Sequence, residues 1–255
     1  MRKDSSKPRP LPRRITSMGD VLEAALPRPT IESSREQKKN YGERLSRAAS
    51  IWFANALRPR YKGITPEEDG TQQERKIGSA RGAKKLDVAY STAALGLSLG
   101  LSMKSISFRD PKTQRYTKNY SRNDNELRAE AIDYHQRQPY AVLVGVLFLP
   151  EDCYYDGKLT KRGTTTDSSF HAVLPYFRQR AGRRDTKNDN GLFERFFVGV
   201  YDATTGAIRF FNVMDPPPQQ HPPAPDDSLS FDQVLQEITK AYEERNSPRG
   251  PRDRA

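Results

Sequence analysis

An aspartate and a lysine in one predicted hairpin are the residues best suited to catalysis. Asp87 lies in residues 86–90, and Lys104 lies in residues 95–105, where leucine and methionine alternate with glycine and serine. Because alternate residues of a strand point to opposite faces, two strands with one apolar and one open polar face are predicted, the polar face carrying Asp87 and Lys104. A carboxylate beside an ammonium, above glycines that leave room for another backbone, suits a metal ion and a phosphodiester. A half-buried hairpin with a solvated polar face explains the same pattern without chemistry.

Helices on both sides of this hairpin would position it. Apolar residues recur at helical spacing from residue 36 to Pro59, which predicts one amphipathic helix. A second helix is predicted from Asn123 to about Arg137, because Asn123 with Glu126 three residues later resembles a capping box. Residues 140–149 are almost continuously apolar, which is typical of a strand buried on both faces.

The rest of the chain predicts further elements of the same domain and two tails. A helix is expected at 168–179, strands at 195–201 and 207–213, and a helix from Phe231. Residues 1–33 are expected to be a mobile basic tail, 34–215 an α/β domain, 216–227 a proline-rich linker, and 228–255 a C-terminal helix with a polar tail.

Composition favours a polyanionic partner. The 255 residues carry a formal charge of +11, and such a surplus of cations favours nucleic acid, although part of it lies in the tails. One cysteine excludes an intramolecular disulfide, and the three histidines do not fall at zinc-ligand spacings. No apolar run approaches the roughly 20 residues of a membrane helix and no secretory signal is present, so a cytoplasmic protein without membrane contact is expected.

The order helix, hairpin, helix, buried strand resembles the core of the PD-(D/E)XK nuclease superfamily over roughly residues 36–150. The resemblance implies the restriction endonuclease-like α/β fold, a central mixed β-sheet flanked by helices. In that family the hairpin Asp and an acid two residues before the Lys bind Mg²⁺, and the Lys orients or activates the attacking water. Asp87 and Lys104 match, whereas Ser102 stands in the place of the acid. A subset of type II restriction enzymes has the same Ser-x-Lys and takes its missing carboxylate from the following helix.

Two acids on the predicted second helix are candidates for that carboxylate. Glu126 and Glu130 are one helical turn apart and share a face. We choose Glu130, since the capping box gives Glu126 a structural role, although an exposed helix acid explains Glu130 equally well. The resemblance then implies Asp87 and Glu130, or Glu126, as Mg²⁺ ligands with a backbone carbonyl near Met103, and at most a hydroxyl from Ser102.

Four polar residues are candidates for contact with nucleic acid. Lys84 and Lys85 form a basic cluster before the hairpin. Arg122 and Asn123, at the predicted helix start, either contact phosphate or pair with neighbouring acids.

The resemblance implies a Mg²⁺-dependent endonuclease that hydrolyses double-stranded DNA, of the restriction or host-defence kind, and a homodimer. The alternatives are a non-catalytic nucleic-acid-binding protein with a degenerate nuclease fold, and a subunit of a larger defence complex. Loss of the acid at Ser102 favours the first alternative, and the Pro/Arg-rich tails favour the second.

Overall fold

A computed structural model describes residues 14–73, 76–79, 82–158, 167–220 and 222–246. Its five helices are α1 Met18–Ala25, α2 Arg35–Leu57, α3 Tyr120–Arg137, α4 Ser169–Arg178 and α5 Phe231–Asn246. Its seven strands are β1 Lys76–Ser79, β2 Gly82–Lys85, β3 Val88–Thr92, β4 Gly96–Ser105, β5 Val142–Pro150, β6 Arg195–Tyr201 and β7 Ile208–Asn212. Within the described residues, no helix is long and apolar enough to cross a membrane.

Strands β3 to β7 form one mixed sheet in chain order. The β4–β5 and β5–β6 pairs are parallel, and the outer pairs β3–β4 and β6–β7 are antiparallel. Every residue of β5 is buried, as expected for a central strand with parallel neighbours on both sides. The prediction of a buried strand is confirmed for residues 142–149, whereas Tyr140 precedes the strand and is exposed.

Helices cover both faces of the sheet. The two parallel crossovers carry α3 and α4 to one face, because consecutive crossovers in one direction have the same hand. The other face packs against α1, α2 and α5, where the Trp52 ring of α2 stacks on Phe231 of α5 at 3.9 Å. The predicted α/β class, with a central mixed sheet flanked by helices, is therefore confirmed.

The polar face of the β3–β4 hairpin is not the open floor that alternation predicts. A β-bulge at Ser98 shifts the register, so Tyr90 pairs with Leu99 but Ser91 pairs with Leu97. The extra residue turns Leu97 to the face opposite Leu99, towards the layer that contains α3. Ser98 is buried there, and a Cβ at Gly100 would lie 2.8 Å from Leu86. Small residues on this face serve close packing.

The predicted boundaries at both ends of the domain need correction. Residues 1–13 lie outside the described residues, but α1 falls inside the predicted tail and buries Met18, Val21 and Ala25 against the core. Its eight residues, set between prolines, are too few to give a clear periodic signal in the sequence. At the other end, α5 buries Val234 and Ile238 in the same core, so it belongs to the α/β domain.

Candidate catalytic and metal site

Asp87 closes the end of the β3–β4 ladder. The last pair of that ladder is Val88 with Leu101, and two residues further along β4 the backbone N–H of Met103 donates to Asp87 Oδ2 at 2.6 Å. The carboxylate therefore occupies the place of a strand carbonyl. It is fixed near the carboxyl end of β4, the edge at which open α/β sheets bind ligands.

Lys104 is held between two acids of α3. Its Nζ donates to Glu130 Oε1 at 2.9 Å and lies 3.5 Å from Glu126 Oε2. The Lys104 side chain is 20% exposed and that of Glu130 is 24% exposed. Burial opposes the ammonium form, but Glu130 and, to a lesser extent, Asp87 and Glu126 raise the pKa of Lys104 above its ordinary value. Lys104 is therefore a cation within electrostatic reach of three carboxylates.

Glu126 is shared with a surface arginine. Its Oε1 accepts from Arg122 Nε at 2.8 Å, and its side chain is 41% exposed. Burial acts against ionisation of this carboxyl, but Arg122 and Lys104 outweigh it and lower the pKa of Glu126. Glu130 is thus the acid closer to Lys104 and better shielded from water.

The predicted capping box is wrong. A 3-10 turn at Thr117–Asn119 runs directly into α3, which begins at Tyr120 with Asn119 as its N-cap. Asn123 therefore lies inside the helix and is buried, so it is not positioned to contact a phosphate. Glu126 therefore has no capping role, and the preference for Glu130 rests on distance, since Glu130 lies closer to Lys104 than Glu126 does.

Ser102 is buried away from the site, whereas Met103 contributes its backbone to the site. The Ser102 residue is 2% exposed, so its hydroxyl is enclosed in the layer beneath α3. The Met103 side chain packs in the core on the opposite face. Since the N–H and C=O of an extended residue point to the same strand edge, the Met103 carbonyl faces the edge occupied by Asp87.

Tyr134 belongs to this site and is not identified by the sequence argument. It lies one helical turn after Glu130 and is fully buried, and its hydroxyl has no hydrogen-bond partner among the described residues. Burial raises its pKa first, and the charges of Glu130, Asp87 and Asp133 raise it further. The four-residue spacing from Glu130 was the available signal, but a tyrosine on an apolar stripe predicts core packing.

The predicted nucleic-acid contacts separate into two groups. Arg122 is 71% exposed but paired with Glu126, in agreement with the pairing alternative. Lys84 and Lys85 lie in β2, where Lys84 stands opposite Ile77 and Lys85 opposite Lys76. Lys85 is exposed and lies two residues before Asp87.

The donor chemistry fits Mg²⁺ with solvent and substrate as further ligands. Mg²⁺ is commonly held by one or two carboxylates together with water and phosphate, which Asp87 and Glu130 satisfy. In the described part of the chain, no three His, Cys, Asp or Glu residues form a cluster that could hold a metal ion. The acids surround the Lys104 ammonium instead, so a bound ion would compete with it for Glu130.

No protein-family model matches the chain, and the comparisons with curated proteins and with solved structures likewise returned no match.

Proposed function

We propose that the chain is a Mg²⁺-dependent endonuclease that hydrolyses double-stranded DNA, with a restriction endonuclease-like core whose second carboxylate comes from α3. The observation that supports this is the 2.9 Å contact between Glu130 Oε1 and Lys104 Nζ, beside the edge that holds Asp87. Because Ser102 stands where the family has an acid, the Ser-x-Lys arrangement needs a carboxylate from the following helix, and Glu130 of α3 lies beside the lysine. The charge of +11 supports a polyanionic substrate.

Each residue has a defined task in this proposal. A bound Mg²⁺ would supply an acidic water and neutralise charge on the phosphate. Asp87 presents its carboxylate in an orientation fixed by the Met103 N–H. Because its pKa is raised, Lys104 keeps its proton and acts as a hydrogen-bond donor to the phosphate or the attacking water, not as a general base. Ser102 is buried and takes no direct part.

Charge balance at the site explains why a divalent cation would be needed. Asp87, Glu126 and Glu130 bring three carboxylates together, against the cations Lys104 and Arg122. Within this set of five side chains the carboxylates outnumber the cations by three to two. Mg²⁺ would reverse the sign of the net charge and so permit binding of the scissile phosphate.

Cleavage of supercoiled plasmid tests the proposal. The wild-type protein should nick the plasmid with Mg²⁺ and leave it intact with EDTA. Asp87→Asn, which removes the charge and retains the shape, should slow nicking at least ~100-fold, in the range found when one electrostatic contact of an active site is removed. Asp232→Asn, at an exposed position of α5 on the other side of the sheet, is the matched control and should cut at the wild-type rate.

Two results would contradict the proposal. Wild-type protein that binds the plasmid in a gel shift but does not nick it with Mg²⁺ would exclude the endonuclease. Nicking by Asp87→Asn at the wild-type rate would place the chemistry elsewhere.

A non-catalytic nucleic-acid-binding protein is the second candidate. The observation in its favour is that Glu126 and Glu130 are already occupied by Lys104 and Arg122. Binding without Mg²⁺-dependent nicking is the outcome expected of it in the same assay.

A further inference from the structure

The hydroxyl of Tyr134 is a buried hydrogen-bond donor that the fold does not use. Tyr134 is fully buried, and its hydroxyl has no partner among the described residues. A buried hydroxyl without a partner costs free energy, because the hydrogen bonds it made to water are lost and nothing replaces them. Such groups are few in folded proteins. Packing alone therefore gives no reason for a tyrosine instead of a phenylalanine at this position.

The position of Tyr134 on α3 directs its side chain towards the candidate site. Tyr134 lies four residues after Glu130, and side chains of a helix incline towards the N-terminus, so its ring is directed back towards the turn that carries Glu130. Burial raises the pKa of Tyr134, and the charges of Glu130 and Asp87 raise it further. The hydroxyl is thus within electrostatic reach of both carboxylates, and it keeps its proton.

Glu130 must exchange partners if it is to hold a metal ion. In the structure its Oε1 accepts from Lys104 Nζ at 2.9 Å, and the same Nζ lies 3.5 Å from Glu126 Oε2. Lys104 can therefore stay paired with Glu126 when Glu130 turns to an ion, but Glu130 then loses its charge-assisted hydrogen bond. Carboxylates that bind metals are themselves held by hydrogen bonds, and Tyr134 is a nearby donor without a partner.

We propose that Tyr134 is a positioning residue of the candidate metal site, whose hydroxyl donates to the Glu130 carboxylate when that carboxylate binds the ion instead of Lys104. This inference rests on the Mg²⁺ site of the proposed function, but it concerns ion binding and is tested without DNA. It predicts that the hydroxyl destabilises the ion-free protein and strengthens ion binding. A side chain that only fills the core would not produce these two effects with opposite sign.

Tyr134→Phe removes the hydroxyl and keeps the ring, and two measurements test its effect. In EDTA the midpoint of urea unfolding should rise, because a buried hydroxyl without a partner is removed. Mn²⁺, which takes the same oxygen ligands as Mg²⁺, should bind about tenfold more weakly, in line with the roughly 10–100-fold loss found when a hydrogen-bond partner of a metal ligand is removed. The electron paramagnetic resonance signal of free Mn²⁺ measures this affinity.

Tyr154→Phe is the matched control. Tyr154 is also buried, and its hydroxyl likewise has no partner in the described part of the chain. Its ring packs on Phe170 of α4 with a centroid distance of 4.7 Å and lies under Arg209 of β7, the sheet edge opposite β3. This variant should also raise the urea midpoint, but it should bind Mn²⁺ as the wild type does. Asp87→Asn should abolish the Mn²⁺ binding in question, which separates this site from other surface acids.

A double-mutant cycle tests whether Tyr134 acts through Glu130. Glu130→Gln removes the acceptor carboxylate, so adding Tyr134→Phe to that variant should weaken Mn²⁺ binding no further. Losses that multiply, as for two independent residues, would overturn the pairing of Tyr134 with Glu130.

Three further outcomes would overturn the inference. They are wild-type Mn²⁺ affinity in Tyr134→Phe, a weaker affinity that accompanies a lower urea midpoint, and no Asp87-dependent Mn²⁺ binding by the wild type. Plasmid nicking is scored separately. Wild-type Mn²⁺ affinity in Tyr134→Phe would leave the endonuclease proposal standing, whereas Asp87-dependent Mn²⁺ binding without nicking would exclude the endonuclease and leave the role of Tyr134 standing.

Discussion

The contacts of Lys104 distinguish the two acids of α3 that lie next to it. Its ammonium meets Glu130 at 2.9 Å and Glu126 at 3.5 Å, and only Glu126 also has Arg122 as a partner. Removal of Glu126 leaves Lys104 with Glu130, whereas removal of Glu130 leaves it with an acid that is already shared. The two acids are therefore not equivalent, although they lie on one face of α3.

We expect Glu130→Gln to abolish most plasmid nicking and Glu126→Gln to retain it. Loss of the closer carboxylate removes a metal ligand in the proposed site, with a cost of ~100-fold or more in rate. Glu126→Gln, one turn away, should cost less than about tenfold. Initial rates over a Mg²⁺ titration measure both, and the Glu130→Gln protein should need a higher Mg²⁺ concentration for half its maximal rate.

The reverse ranking, with Glu126→Gln inactive and Glu130→Gln active, would move the metal ligand one turn along α3. Equal activity of both variants and the wild type would remove the helix acids from the chemistry.

Helical and strand spacing predict part of the site at the residue level. Spacing predicts Asp87 and Lys104 on adjacent strands and Glu126 with Glu130 on one face. The structure brings these four residues together, although Asp87 lies in a bend just before β3 and not on the strand. Spacing does not predict whether a side chain is buried or exposed. Asn123 is buried because α3 begins three residues earlier than its sequence signal indicates, and Tyr134 reaches the site from a position typical of core.

At the scale of elements, β5 is packed closely against its parallel neighbour β6. A Cβ at Gly145 of β5 would lie 2.3 Å from Cδ2 of Phe196. That ring is buried and stacked on Phe177 with a centroid distance of 5.1 Å. Both rings are fully buried, so they have little space to move away. The Phe196 ring can therefore lie over Gly145 only because residue 145 has no side chain.

Gly145→Ala should therefore lower the free energy of unfolding by about 1–3 kcal/mol, the usual cost of overpacking a core. Gly42→Ala is the matched control, because Gly42 lies within α2 and a Cβ there would meet nothing closer than Ser105 Oγ at 3.8 Å. Replacement of a mid-helix glycine should raise the free energy of unfolding by about 0.5–1 kcal/mol. Urea unfolding measures both, and equal effects of the two substitutions would contradict this account of Gly145.

The elements that the sequence predicts well are those with long, regular patterns. Strand β6 spans the predicted residues, 195–201, and α2 ends before Pro59 as its pattern indicates. Strand β2 and helix α1 are too short to show a period. The bulge at Ser98 inserts one residue into an otherwise regular alternation, and alternation alone assigns Leu97 to the wrong face.

At the scale of the whole molecule, a buried carboxylate ties the C-terminal helix to the sheet. Glu194, just before β6, accepts from the Leu143 N–H at 2.8 Å and from Arg183 Nη1 at 2.9 Å. Its third donor is Arg245 Nη2 at 3.1 Å, from the last turn of α5. Burial acts against this charge, but His135, Leu143 and Arg183 outweigh it and lower the pKa of Glu194.

Removal of Arg245 should therefore destabilise the fold in a pH-dependent way. At pH 7 Arg245→Met leaves a buried carboxylate that keeps Arg183 but has one donor fewer, and we expect a loss of about 2 kcal/mol in the free energy of unfolding, as for one hydrogen bond to a charged group. Arg60→Met is the matched control, because its exposed pair with Glu243 also joins α5 to the rest of the molecule and should contribute less than about 1 kcal/mol.

The sign of the pH effect follows from the direction of the Glu194 pKa shift. A lowered pKa means that the contribution of the carboxylate is fully present above its ordinary value of 4.5 and is lost as the pH falls through the lower folded value. The difference between the wild type and Arg245→Met in urea unfolding should thus shrink as the pH is lowered from 7 to below 4.5. A difference that stays constant or grows in acid would show that Arg245 stabilises α5 without Glu194, through its contacts with the carbonyls of Arg183 and Arg184.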